Sequence, residues 1–147
     1  MRNYKKTIAL ITGASRGLGY QVAKILAQKN IHIIGLARTP GGLENLSDEI
    51  SQSKGSSTMV PLDLEKDQEL DNLAIEIFHR WKKIDVLIHC ASISSSMSPV
   101  TSTSLKDFDT SLKVNTRATL KLIQTLDPLL RQSKIKTAVF VDDMNSG

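Results

Sequence analysis

The sequence predicts an α/β fold, a doubly wound parallel sheet with helices on both faces, and three observations point there. Short β-branched and apolar runs alternate with longer stretches of helical periodicity, the signature of strand–helix–strand crossovers around a parallel sheet. Apolar residues make up 40% of the chain but aromatics only 4%. The core must therefore be built from Ile, Leu, Val and Ala, which suits strands covered on both sides. A glycine-rich stretch, Thr12 to Gly19, directly follows the first apolar run. At 147 residues the chain is the size of one ordinary domain, and residues 1–147 read as a single three-layer α/β/α unit.

Taken in order, Thr7 to Ile11 reads as a buried strand ending at glycine. Val22, Ile25 and Leu26 lie at helical spacing between about Leu18 and Gln28, so a helix follows the turn. Ile31 to Ala37 is the second strand, and Pro40-Gly41-Gly42 reads as punctuation. Leu43, Leu46 and Ile50 mark a second helix. Thr58 to Leu62 is the third strand, ending at Asp63. Leu70, Leu73, Ala74, Ile77, Phe78 and Trp81 form an apolar stripe on a third helix.

Val86 to Ile88 is the fourth strand, and Ser92 to Ser104, rich in Ser and Thr, is a flexible loop. A long helical segment runs from about Leu105 to Leu130, and Pro128 should kink or end it unless it opens a new short helix. Ala138 to Val141 is the fifth strand. These strands account for most of a sheet of order 3-2-1-4-5-6, without the sixth.

Composition narrows the function. The net charge of +4, from 19 basic and 15 acidic residues, is mild and dispersed, and no stacking aromatics accompany it, so a nucleic-acid partner is not expected. Cys90 is the single cysteine; it cannot form an internal disulfide, and a cytoplasmic setting is expected. The apolar run after the basic N-terminus is too short for a signal peptide or a membrane span, so no membrane association is expected. The histidines His32, His79 and His89 are scattered along the chain, and no metal set is expected.

The glycine turn carries the chemistry. Gly13, Gly17 and Gly19, with Ser15, Arg16 and Leu18 between them, connect a buried strand to an amphipathic helix. Such a turn brings backbone close to a pyrophosphate and aims a helix N-terminus at it, as in a dinucleotide-binding Rossmann unit. The spacing is G-x-x-x-G-x-G rather than the general G-x-G-x-x-G. Arg38 ends the second strand, where an acidic residue would grip a free 2′-hydroxyl. A cation there, with Arg16 in the turn, suits a 2′-phosphate, so NADP(H) is expected over NAD(H). Asp63 can accept from an adenine amino group with Leu64 against the ring, or it can cap the following helix. Cys90 and Ala91 are small enough to let backbone lie beside the cofactor; Cys90 reads as an inert buried thiol and His89 as a satisfied strand-end histidine.

Thr12 to Gly19 resembles the T-G-x-x-x-G-x-G motif of the short-chain dehydrogenase/reductase family. Arg16 and Arg38 sit where its NADP-preferring members place basic residues, and Asp63-Leu64 is similar to its adenine-contacting pair. Asn115 resembles the helix asparagine that helps hold a catalytic water. The resemblance implies hydride transfer between NADP(H) and a small carbonyl or alcohol substrate, and a homo-oligomer formed through helices at the fourth and fifth crossovers. Three departures stand out. His89-Cys90-Ala91-Ser92 replaces the family's N-N-A-G. The catalytic serine position falls on Asp142 or Asp143, with Ser146 reachable only by a register shift; an ionised carboxylate cannot donate the hydroxyl's hydrogen bond. The family's Y-x-x-x-K helix, and its further strands and helices, would follow Gly147. Tyr20 to Lys24 matches Y-x-x-x-K in letters but falls on the first helix and reads as coincidence.

Two functions follow: the NADP(H)-binding portion of a short-chain dehydrogenase/reductase, or alternatively a catalytically inactive NADP(H)-binding module or truncated remnant. If the chain is truncated, Ala138 to Val141 should be an unpaired sheet edge, giving the isolated chain marginal stability or self-association.

Overall fold

The computed structural model describes residues 6–91 and 99–141, apart from the Val114 side chain. Its sheet is parallel, in the order β3-β2-β1-β4-β5. The strands are β1 (Ile8–Thr12), β2 (His32–Ala37), β3 (Ser57–Pro61), β4 (Val86–His89) and β5 (Thr137–Phe140). Between them run α1 (Gly17–Gln28), α2 (Pro40–Gln52) and α3 (Asp67–Trp81). The last crossover holds a 3₁₀ turn (Val100–Ser102), α4 (Leu105–Leu112), a wide π turn (Lys113–Arg117) and α5 (Ala118–Arg131).

Strand alternation divides the core in two. Ile8 and Leu10 of β1 pack with α3 and α5, while Ala9 and Ile11 pack with α1 and α2. That two-sided burial is why β1 is an unbroken apolar run rather than an alternating one. The chain winds from β1 to β3 on one side and from β4 to β5 on the other. The winding direction reverses between β1 and β4, and a crevice opens there beyond the strands' carboxyl ends.

Asp85 fastens the opposite end. Its carboxylate accepts from the Ile8 N–H at 2.7 Å, the Lys83 ammonium at 2.8 Å and the Ser133 hydroxyl. Burial pushes this carboxyl up, but those hydrogen bonds outweigh it and hold the pKa below the ordinary value.

Three expectations are corrected. Pro40-Gly41-Gly42 is the first turn of α2, not punctuation. Proline is pre-shaped for the first helical position, and Gly42 lets the helix close on the glycine turn: a Cβ there would lie 2.3 Å from the Ser15 carbonyl oxygen. Pro128 lies inside α5 without ending it. The residue one turn back, Gln124, is exposed, and proline leaves its carbonyl without the usual helical N–H partner. Phe78 leaves the apolar stripe; it is 49% exposed beneath the Lys82 ammonium. Among the described residues β5 is an edge strand of the sheet, and all of it is exposed.

Candidate functional site

The carboxyl ends of the strands open on a cavity of about 460 Å³, within the ordinary range for small-molecule sites. The glycine turn supplies Gly13, Ser15, Arg16, Gly17, Leu18 and Gly19 to its lining. Arg38 comes from the end of β2, Asp63 and Leu64 from beyond β3, and Cys90 and Ala91 from beyond β4. The fold therefore brings together every cofactor residue expected from the sequence. Leu36, Ala37, Thr39, Leu62 and Val141 also line the cavity and were missed. Thr39 was hidden because the segment after it was read as a break rather than a helix start. Val141 is a strand-end valine with no chemical signal of its own.

The turn's geometry requires glycine. Gly13 has φ +66°, and a Cβ on it would stand 2.9 Å from the Ala91 nitrogen. Gly17 has φ +61°, and a Cβ there would project into open space at the cavity. Behind it, no side chain caps α1 and no acidic residue sits in its first turn. The same holds for α2, whose N-cap is Thr39. Two helix N-termini thus present positive dipole ends to the cavity without internal neutralisation. Arg16 and Arg38, both exposed, add their guanidinium groups.

Asp63 does not cap α3, whose N-cap is Lys66. Its carboxylate instead accepts the Glu65 N–H at 3.0 Å in a local turn, while its own N–H donates to Glu69 at 2.9 Å. Leu64 is 8% exposed and belongs to the core as well as the lining. Cys90 is half-buried rather than buried, and burial pushes its thiol pKa up, which keeps it the weak nucleophile expected.

His89 is satisfied at both ring nitrogens, by Thr12 Oγ1 at 2.7 Å and Thr119 Oγ1 at 2.9 Å. Thr12 Oγ1 also accepts the Cys90 and Ala91 N–H groups, each at 3.1 Å. Asn115 is not part of the cavity lining. It lies on the exposed π turn, where its side-chain amide donates to Ser111 Oγ at 3.0 Å. The look-alike pair on α1 is engaged elsewhere: Tyr20 donates to Glu49 at 2.8 Å and Lys24 pairs with it at 2.6 Å. Asp142, Asp143, Ser146 and Ser92 lie outside the described residues. Among the described residues no cluster of His, Cys, Asp and Glu could hold a metal, and no helix is long and apolar enough to cross a membrane.

The sequence profile of the short chain dehydrogenase family matches residues 7–145. The chain belongs to this family. The chain is 32% identical over 133 residues to a fatty acyl-CoA reductase of Acinetobacter baylyi, covering 90% of this chain and 45% of that one. It is 34% identical over 124 residues to a very-long-chain 3-oxoacyl-CoA reductase of Lodderomyces elongisporus, covering 83% and 35% respectively. Among solved structures, the short chain dehydrogenase from Shigella flexneri superposes with a TM-score of 0.87 at 26% identity, over 95% of this chain and 56% of that one. A Shigella flexneri 2a chain assigned to the same family and crystallised with NADP gives 0.84 at 27% identity, over 91% and 57%. The chain therefore spans about half the length, or less, of these relatives. Members of the family bind nicotinamide cofactors.

Proposed function

We propose that this chain binds NADP(H) in preference to NAD(H), as the cofactor-holding part of an oxidoreductase acting on a carbonyl or alcohol substrate. The observation that carries the reading is the convergence of Arg16 and Arg38 on one cavity with the glycine turn. The residues fit the group: Gly17 leaves open a place that a Cβ would fill, and no carboxylate blocks either helix N-terminus. In this reading the turn and the first turn of α1 hold the pyrophosphate. Arg16, Arg38 and the N-terminus of α2 hold the 2′-phosphate through charge-assisted hydrogen bonds. Asp63 and Leu64 flank the adenine, and Cys90 and Ala91 form the floor.

The bound nicotinamide would supply the hydride chemistry, while the protein orients it. Hydride transfer is assigned to the family's full-length protein, of which this chain spans about half. The water-holding role of Asn115 belongs to the same proposal. So does a cytoplasmic setting, supported by the free thiol of Cys90.

Fluorescence titration with NADPH and NADH tests the reading. NADPH should bind more tightly, and Arg38→Ala should weaken it roughly tenfold or more, the worth of one charge-assisted hydrogen bond, while NADH binding stays unchanged. Equal affinity for both cofactors, unaltered by the substitution, would overturn the NADP preference. Absence of binding to either would overturn cofactor binding itself.

A further inference from the structure

His89 stands where the family pattern has its first asparagine, is 6% exposed, and touches two different parts of the fold. The direction of each of its hydrogen bonds can be derived. Thr12 Oγ1 already accepts two backbone N–H groups, from Cys90 and Ala91. A hydroxyl has two acceptor sites and one donor, so the remaining bond at 2.7 Å runs from the Thr12 hydroxyl to His89 Nδ1. At the other end, the Thr119 hydroxyl donates to the Asn115 carbonyl at 3.0 Å. Its oxygen must therefore accept from His89 Nε2–H at 2.9 Å. The two ends independently require the same neutral tautomer, with the proton on Nε2. The result is a one-way chain from Thr12 to His89, Thr119 and the Asn115 carbonyl.

We propose that His89 is a positioning residue of the cofactor site, tying the Cys90–Ala91 floor of the cavity to the helical turn that carries Asn115. The proposal rests on the cofactor reading above. The floor is held because Thr12 is the acceptor for both floor N–H groups, and His89 fixes the rotation of that hydroxyl. The Asn115 turn is held because the π turn (Lys113–Arg117) lacks regular α-helical bonding, and the Thr119 hydroxyl takes the Asn115 carbonyl. A rigid ring keeps the two attachment points at a fixed separation, which an aliphatic residue of similar volume would not do. Burial holds the His89 pKa below the ordinary range, with no charged neighbour contributing. The Phe140 ring closes one side at 6.0 Å between centroids.

Two variants separate the ends of the chain. An asparagine side chain can place an acceptor where Nδ1 sits, so His89→Asn keeps the Thr12 end. A glutamine side chain can place a donor where Nε2 sits, so His89→Gln keeps the Thr119 end. The 147-residue protein and both variants are titrated with NADPH, and the Asn115 amide is followed by NMR. His89→Asn should keep wild-type affinity, whereas His89→Gln should bind about tenfold more weakly, the worth of one hydrogen bond. The Asn115 amide should shift on NADPH binding in the wild type and in neither variant. Should the glutamine variant fold poorly, Thr119→Val cuts the far end instead and must silence Asn115 with affinity kept.

Unchanged affinity in both variants, or an Asn115 response that persists in them, would overturn the proposal. A long-range proton–nitrogen correlation spectrum of the wild type reads the tautomer without any ligand. A proton on Nδ1 near neutral pH would overturn the one-way chain even if NADPH binds. Failure of the wild type to bind NADPH would overturn the cofactor reading, and the positioning role with it, while the spectrum still decides the direction of the bonds.

Discussion

β1 and β5 belong to one sheet and are separated by a single strand, yet they live in different environments. All five residues of β1 are buried, whereas all four of β5 are exposed. Their compositions do not explain this. Val139 and Phe140 are as apolar as Leu10 and Ile11, but they are 44% and 45% exposed while the β1 pair is at 0%. A strand is buried by what lies on either side of it. β1 has β2 and β4 as neighbours and helices on both faces, while among the described residues β5 pairs with β4 alone. Among the helices, α1, α2 and α3 each bury three residues and α5 buries four, whereas α4 buries none. The cavity at the strands' carboxyl ends is built mainly on the covered half, where backbone positions are fixed from several directions.

The largest expected effect is a direct trial of this contrast. Leu10→Ala should cost about 2–5 kcal/mol, because it opens a cavity in a closed core. Val139→Ala should cost about 0.5 kcal/mol or less, as for exposed positions generally. Urea unfolding of both variants measures the pair. Comparable losses would mean that β5 is covered in solution by another surface.

The next effect concerns the edge itself. An exposed apolar strand with an unpaired side is a template for another chain, and Val139, Phe140 and Val141 supply such a strand here. The wild type should therefore self-associate as its concentration rises in sedimentation experiments. Val139→Lys should reduce that association, since an edge lysine disfavours strand pairing. If association persists unchanged, the contact lies elsewhere, and the exposed apolar residues Phe108, Leu112, Leu120 and Ile123 of α4 and α5 become the place to look.

A pH-dependent effect lies on the covered half. Burial first, then the charges of Lys6 and Arg80, lower the pKa of His32 to about 4. In the unfolded chain the value returns to about 6.5. Between these two values the unfolded state binds more protons, so stability falls as the pH drops through that window and is flat above it on this account. His32→Gln should remove that part of the slope while keeping a polar partner for Ser56 or Thr58, which His32 bonds at 2.9 Å and 3.0 Å. Urea midpoints measured across the window would show it, and identical slopes for the two proteins would sink the assignment. Glu49, Asp67 and Asp85, whose pKa values are lowered, add their own losses at more acidic pH in both proteins.

The sequence by itself determined the alternation of strands and helices, the parallel sheet and the glycine turn. Each rests on local chemistry: β-branched runs, helical spacing of Leu and Ile, and glycines whose backbone a Cβ would obstruct. It also singled out most of the residues that line the cavity, because Arg16, Arg38, Asp63 and Cys90 all sit at strand ends or in the turn, where a parallel sheet gathers such positions.

Other features depended on partners far away in the chain. Pro40-Gly41-Gly42 looks like a break until Ser15 is placed against Gly42, where it becomes a helix start. Pro128 sits inside α5, one turn after the exposed Gln124, although it cannot supply a helical N–H. Phe78 has helical spacing for the core but faces solvent, since the core side of α3 is already filled by Leu70, Leu73 and Ile77. The role of His89 was the least legible, because its partners Thr12 and Thr119 lie 77 and 30 residues away. Short-range patterning decides which element forms. Only tertiary structure decides what a side chain at the end of that element meets, because hydrogen-bond partners and cover come from strands and helices distant in sequence.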